Sequence, residues 1–141
     1  MTGTNTTFAN DLLLLIFQGT SIAGVAQNAS APIPNLYCSL HTADPTSGTQ
    51  STSEAVYTSY TRVAVARSSG GWTVSTNTTV PVANISFPAA TGGSETESYA
   101  GIGSASSGNG LLYFAGSISP TIAVSSGVTP SLTTASILTL S

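Results

Sequence analysis

The hydrophobic period of this chain changes once. Phe8, Leu12, Leu15 and Ile16 recur at the i, i+4, i+7 and i+8 spacing of one helix face, which Leu13, Leu14 and Phe17 widen. From Leu36 onward the period is two: Leu36, Cys38 and Leu40 alternate with Tyr37, Ser39 and His41, as in a half-buried strand that ends at Asp44-Pro45. With no second helix-period segment, nothing can pack helix on helix or cross over between parallel strands, so the core must be made by sheets.

The helix is expected to begin near Thr6 or Thr7, with Asn10 and Asp11 in its first turns, and to stop at Gly19. Residues 20 to 35 are small, and Pro32 and Pro34 direct an extended path, so they read as a linker or a surface-hugging arm. The apolar run Leu12 to Phe17 has the look of a signal-peptide core. However, no Lys or Arg precedes it and Asp11 abuts it, so a protein made in the cytoplasm without export is expected. The run is also far short of the roughly 20 residues a membrane-spanning helix needs.

Further strands are expected at Tyr60 to Arg67, Trp72 to Val74, Val80 to Phe87, Ser98 to Gly103, Leu111 to Ile118, Ile122 to Val124 and Ser136 to Leu140. A weak one lies near Val56. Gly70-Gly71 is the best hairpin signal. About eight short strands bounded by Gly, Pro, Asn or Ser predict an all-β fold, a jelly-roll type β-sandwich with a short N-terminal helix and extended arm. The expected organisation is residues 1–35 as the arm with its helix and 36–141 as the sandwich domain. No repeat of fixed period points to a solenoid or propeller.

Composition narrows the function. Two Arg, no Lys, five acids and one His leave 5 % of positions charged, against roughly 25 % in ordinary soluble domains. Nucleic acid and anionic membrane both require clustered cations, so neither is expected as a partner. Solubility must rest on hydroxyls, and so neutral a surface suits lying against other proteins. The composition suggests an assembly component.

Candidate chemistry is sparse. Cys38 allows no internal disulfide, sits in an alternating context and reads as a buried thiol; no Cys/His cluster suggests a metal, and no cofactor is expected. The single His, His41, has Asp44 three residues on, where an acid before Pro45 more naturally caps a turn than orients a catalytic imidazole. Glu95 and Glu97 share a face if extended, but after Thr91-Gly92-Gly93-Ser94 they read as solvated charge on a loop. The glycines of Gly101-Ile102-Gly103 and Gly108-Asn109-Gly110 lack a phosphate-binding context and read as strand kinks and a hairpin turn. Glu54, Tyr57, Tyr60 and Arg62 stand out, because an Arg inside a valine-rich strand calls for a partner. They are expected to form a structural network or a subunit contact.

The order of segments resembles a family of small tailed-bacteriophage virion proteins, labelled variously as tail-fibre-like or capsid decoration (cement) proteins. The segments are Leu14-Ile16-Phe17-Gln18 with Ile22-Ala23, Leu36-Tyr37 with Leu40-His41-Thr42-Ala43-Asp44-Pro45, and Glu54-Ala55-Val56-Tyr57 with Tyr60-Arg62-Val63-Ala64-Val65. They continue through Gly71-Trp72-Thr73-Val74, Ile85-Phe87-Pro88-Ala90-Thr91-Gly92-Gly93, Gly101-Ile102-Gly103, Leu111-Leu112-Tyr113, Gly116 and Gly127-Val128-Thr129-Pro130. The resemblance implies a nonenzymatic structural role in the virion and carries no catalytic residue.

Low charge, a wide apolar helix and a soft arm then suit a clip on the outer capsid surface, bridging neighbouring major capsid subunits. The residues expected to make capsid or subunit contacts are Phe8, Leu12, Leu13, Ile16, Phe17, Ile22 and Val25. Self-association as a dimer, or next a trimer, is expected. The alternatives are a tail or tail-fibre component binding host glycan, suggested by Trp72 and the tyrosines, and a small hydrolase built on His41.

Overall fold

The computed structural model describes residues 6–22 and 33–140. Among these described residues the fold is all-β with one short N-terminal helix, as the change of period implies. Helix α1 spans Thr6–Gln18; the strands are β1 Asn35–His41, β2 Val63–Ala66, β3 Trp72–Ser75, β4 Thr78–Pro81, β5 Ile85–Ser86, β6 Ser94–Gly103, β7 Leu112–Ser125, β8 Ser131–Leu132 and β9 Leu138–Thr139. They group as β2-β1-β6-β7, β3-β4-β9 and β5-β8, four, three and two strands where a jelly roll pairs four and four.

The chain divides into two compact units. One falls within Met1–Asn35, Ala66–Asn84 and Leu132–Ser141, the other within Leu36–Val65 and Ile85–Ser131. The helix belongs to a unit that also holds β3, β4 and β9.

In the first unit, α1 ends as expected, with Gly19 at φ 72° and its N–H on the Leu15 carbonyl. The buried face is different. Ala9, Leu13 and Phe17, at i, i+4 and i+8, are buried, while Leu12, Leu15 and Ile16 are half-buried. The reason is Trp72 on β3: the Phe17 ring meets it edge-on at 4.6 Å and 69°, and Gln18 Nε2 donates to the Trp72 carbonyl at 3.2 Å. The aromatic pair decides which side of a broadly apolar helix turns inward.

The hairpin of this unit is not at Gly70-Gly71. There the Gly71 and Trp72 amides turn back onto the Ser68 carbonyl, and the chain passes from the sheet of β2 to the sheet of β3. The tight turn is Thr76-Asn77, between Ser75 and its partner Thr78, with Thr76 at φ 54°. Asn77 then holds the chain end: its carbonyl accepts from Leu140 N (2.8 Å) and its Nδ2 donates to Leu140 O (3.0 Å).

The second unit is built on β1 and β6, antiparallel from Tyr37 opposite Gly103 to His41 opposite Tyr99. The expected strands Leu111 to Ile118 and Ile122 to Val124 are one strand, β7, whose register against β6 shifts partway along. Glu97 faces Ile122 but Tyr99 faces Ser117, so Ile118, Ser119, Pro120 and Thr121 bulge opposite Ser98. Val80 to Phe87 is likewise not one strand but β4 and β5, separated after Pro81. No strand forms near Val56. That segment makes single bridges instead, His41 with Glu54 and Thr58 with Gly92.

Candidate functional site

The buried polar and charged side chains of the second unit gather where the segment from Gln50 to Arg62 closes over one face of β1 and β6. Two backbone bonds start it: Thr42 N donates to Ser53 O and Ala55 N to Leu40 O, both at 2.9 Å. Residues paired across an antiparallel ladder point to the same side, so Ser39, His41, Gly101 and Gly103 share that face.

Glu54, Tyr60 and Arg62 form one network. Arg62 Nε and Nη2 grip Glu54 Oε1 and Oε2 at 2.6 and 2.7 Å, a bidentate fork, with the Arg62 side chain 2 % exposed. The guanidinium also donates to the carbonyls of Ala105 (2.9 Å) and Gly108 (2.7 Å), which fixes the loop between β6 and β7. Tyr60 Oη donates to Glu54 Oε1 (3.0 Å) and accepts from Leu40 N (3.1 Å). Tyr57 joins by its ring alone, 5.3 Å from Tyr60, while its hydroxyl donates to the Pro88 carbonyl. Burial, ahead of the other influences, holds the Tyr60 phenol well above its ordinary range. These groups brace loops and present no free acid or base.

His41 is fully buried, and both ring nitrogens are bonded. A carbonyl only accepts, so Nδ1 carries the proton and donates to Thr52 O (2.9 Å), leaving Nε2 to accept from the Ser39 hydroxyl (2.8 Å). Burial, opposed by the Thr52 bond, lowers its pKa and favours the neutral ring. Asp44 is exposed and accepts from Thr46 N at 3.0 Å, the turn cap expected of it. Ser39 and His41 therefore form a sealed pin rather than a nucleophile and base open to substrate. Cys38 is buried too, and burial pushes its thiol up to about 12.

Sequence reasoning missed Gln50. It is fully buried, donating to Tyr37 O (3.2 Å) and accepting from Ala105 N (2.9 Å). The glycines make its room: a Cβ on Gly103 would stand 2.2 Å from Gln50 Cδ, and one on Gly101 2.7 Å from His41 Nε2. Gly101 and Gly103 are spaces for side chains, and at Gly103 the register against β7 also shifts, as the expected strand kink implies.

Glu95 and Glu97 depart most from expectation. Both lie within β6, because the strand starts at Ser94, directly after Gly93 at φ 88°. Glu95 Oε1 accepts from Val56 N (2.8 Å) and Tyr57 N (2.7 Å). Glu97 is fully buried, and neither of its oxygens has a hydrogen-bond donor. Burial first, then the neighbouring Glu95, pushes Glu97 up to about 8. The signal in the sequence was the period of two, Glu95, Glu97, Tyr99, continuing into the strand.

The expected contact residues of the helix are dispersed. Leu13 and Phe17 lie fully buried in the unit's own core, so they are not available to a partner. Leu12, Ile16 and Ile22 are half-buried. Val25 and the side chain of Phe8 lie outside the described residues. Trp72 is 2 % exposed, which removes it as a platform for glycan stacking.

Among the described residues, no group of three or more His, Cys, Asp or Glu is placed to hold a metal ion, and no helix is long and apolar enough to cross a membrane. Glu54, Arg62, Asp44 and Glu95 each hold loops or covering segments of their own unit. The family model described as Podophage GP4 fiber I protein gp80 matches residues 3–139, and the chain belongs to that family. It is a phage virion protein. Comparison with curated proteins finds no match.

Proposed function

We propose that the protein is a nonenzymatic structural component of the fibre apparatus of a podophage virion, held there by contacts with neighbouring virion proteins and with further copies of itself. The observation that carries this reading is the family match over residues 3–139, whose description names a fibre protein. The surface agrees with it. Val56, Leu111 and Ile137 are 82 %, 63 % and 65 % exposed, and on this reading they are apolar side chains that a neighbour would cover. With 5 % of positions charged, close approach meets little repulsion.

A second reading is a capsid decoration protein on the outer shell, bridging major capsid subunits. It rests on the order of segments that resembles a virion-protein family labelled variously as tail-fibre-like or capsid decoration proteins. One experiment separates the two: purified protein is added to tailed particles lacking it and to tailless expanded shells, and bound copies are counted. The fibre reading expects a fixed small number on tailed particles and none on shells. Symmetry-matched loading of shells overturns it in favour of decoration, and binding to neither overturns both.

A further inference from the structure

Glu97 is the buried charged group that the network above leaves unexplained. It is fully buried, and no N–H or O–H of the described residues reaches either oxygen. Leaving an ionised carboxylate there without a partner would cost far more than holding it as the neutral acid. The polar group beside it is Glu95, two residues back on the same face of β6, and two carboxyl groups bond only through a proton that one of them keeps.

Glu95 is already engaged. It accepts the Val56 and Tyr57 amides, and this anchors the middle of the covering segment. From that segment the titratable group facing the pair is Tyr57, whose phenol burial and the two carboxyls together push up to about 12. From β7 come Ile122 and Val124, opposite Glu97 and Glu95, and residues 98–141 carry no Asp, Glu, Lys, Arg or His. Among the described residues, no cation faces the pair.

We propose that Glu97 serves as a proton-held latch: as a neutral acid it donates to Glu95, which grips the Val56–Tyr57 backbone, and loss of that proton releases the segment from β6. The step is a single transfer of the Glu97 carboxyl proton to hydroxide or water, leaving two adjacent carboxylates. Repulsion between them is relieved by Glu95 swinging out, which breaks its bonds to Val56 and Tyr57.

The test uses the full chain, with carboxyl-carbon NMR of labelled Glu and amide-exchange protection measured from pH 6 to 9. The expected result is a Glu97 inflection in that range, with protection of the Val56 and Tyr57 amides falling at least tenfold across it. In Glu97→Gln, which keeps a donor toward Glu95, protection stays level. An inflection near the ordinary carboxylate range, or wild-type protection that does not change, overturns the proposal. The wild-type NMR titration decides the matter even if the variant fails to fold.

Discussion

Arg62 and Arg67 are the chain's two cations, and both end on backbone carbonyls of their own unit. Because Arg62 is buried, removing its carboxylate strands a charge. Glu54→Ala is expected to cost about 3–5 kcal/mol in urea unfolding, far above an exposed ion pair. Gly101→Ala places a methyl 2.7 Å from His41 Nε2 and 2.8 Å from Ser39 Oγ, and a loss of about 1–3 kcal/mol is expected from the same measurement. For Glu97 the folded chain holds a proton that the unfolded chain, with its ordinary 4.5, releases. Its stabilising contribution is complete below that value and is lost as pH rises toward about 8, with a slope of up to about 1.4 kcal/mol per pH unit. His41 runs the other way, losing its contribution as pH falls, so the Glu97→Gln profile isolates the Glu97 part. The Glu54 and Arg62 pairing was legible because a cation among valines demands a partner. Gln50 was not, since a neutral amide gives no such sign, and Glu97 was hidden by the glycine-rich stretch just before it.

At the scale of elements, the helix was legible in its start and stop but not in its orientation. Its apolar residues surround most of the axis, so only the position of Trp72 selects the face of Leu13 and Phe17. Arg67 reaches back across that packing to donate to the Leu15 and Ile16 carbonyls, placing its charge at the negative end of the helix dipole. Arg67→Met is expected to speed amide exchange in the last turn of α1 and to cost about 1 kcal/mol. The hairpin was not legible, because Gly70-Gly71 is the stronger local signal, whereas the actual turn puts Thr76, a β-branched residue, at φ 54°. Thr76→Gly is therefore expected to raise the unfolding free energy, by about 0.5–1 kcal/mol.

For the whole molecule, the all-β class and the helix were readable from period, whereas strands as short as β5 and β8, two residues each, carry too little alternation to be seen. The division into two units was not, since the first is assembled from three separated stretches of chain and only long-range pairing joins them. The virion role follows from the family match along residues 3–139, and the proposed contacts with neighbours put the exposed apolar side chains to the test. Val56→Ser with Leu111→Ser is expected to change stability by less than about 0.5 kcal/mol each while lowering incorporation into particles. The most direct measurement is immunogold labelling of purified virions with antibody to this chain, scored by position on the particle. Gold confined to the fibres is the expected result; particles without gold, or with gold spread evenly over the capsid, would contradict it.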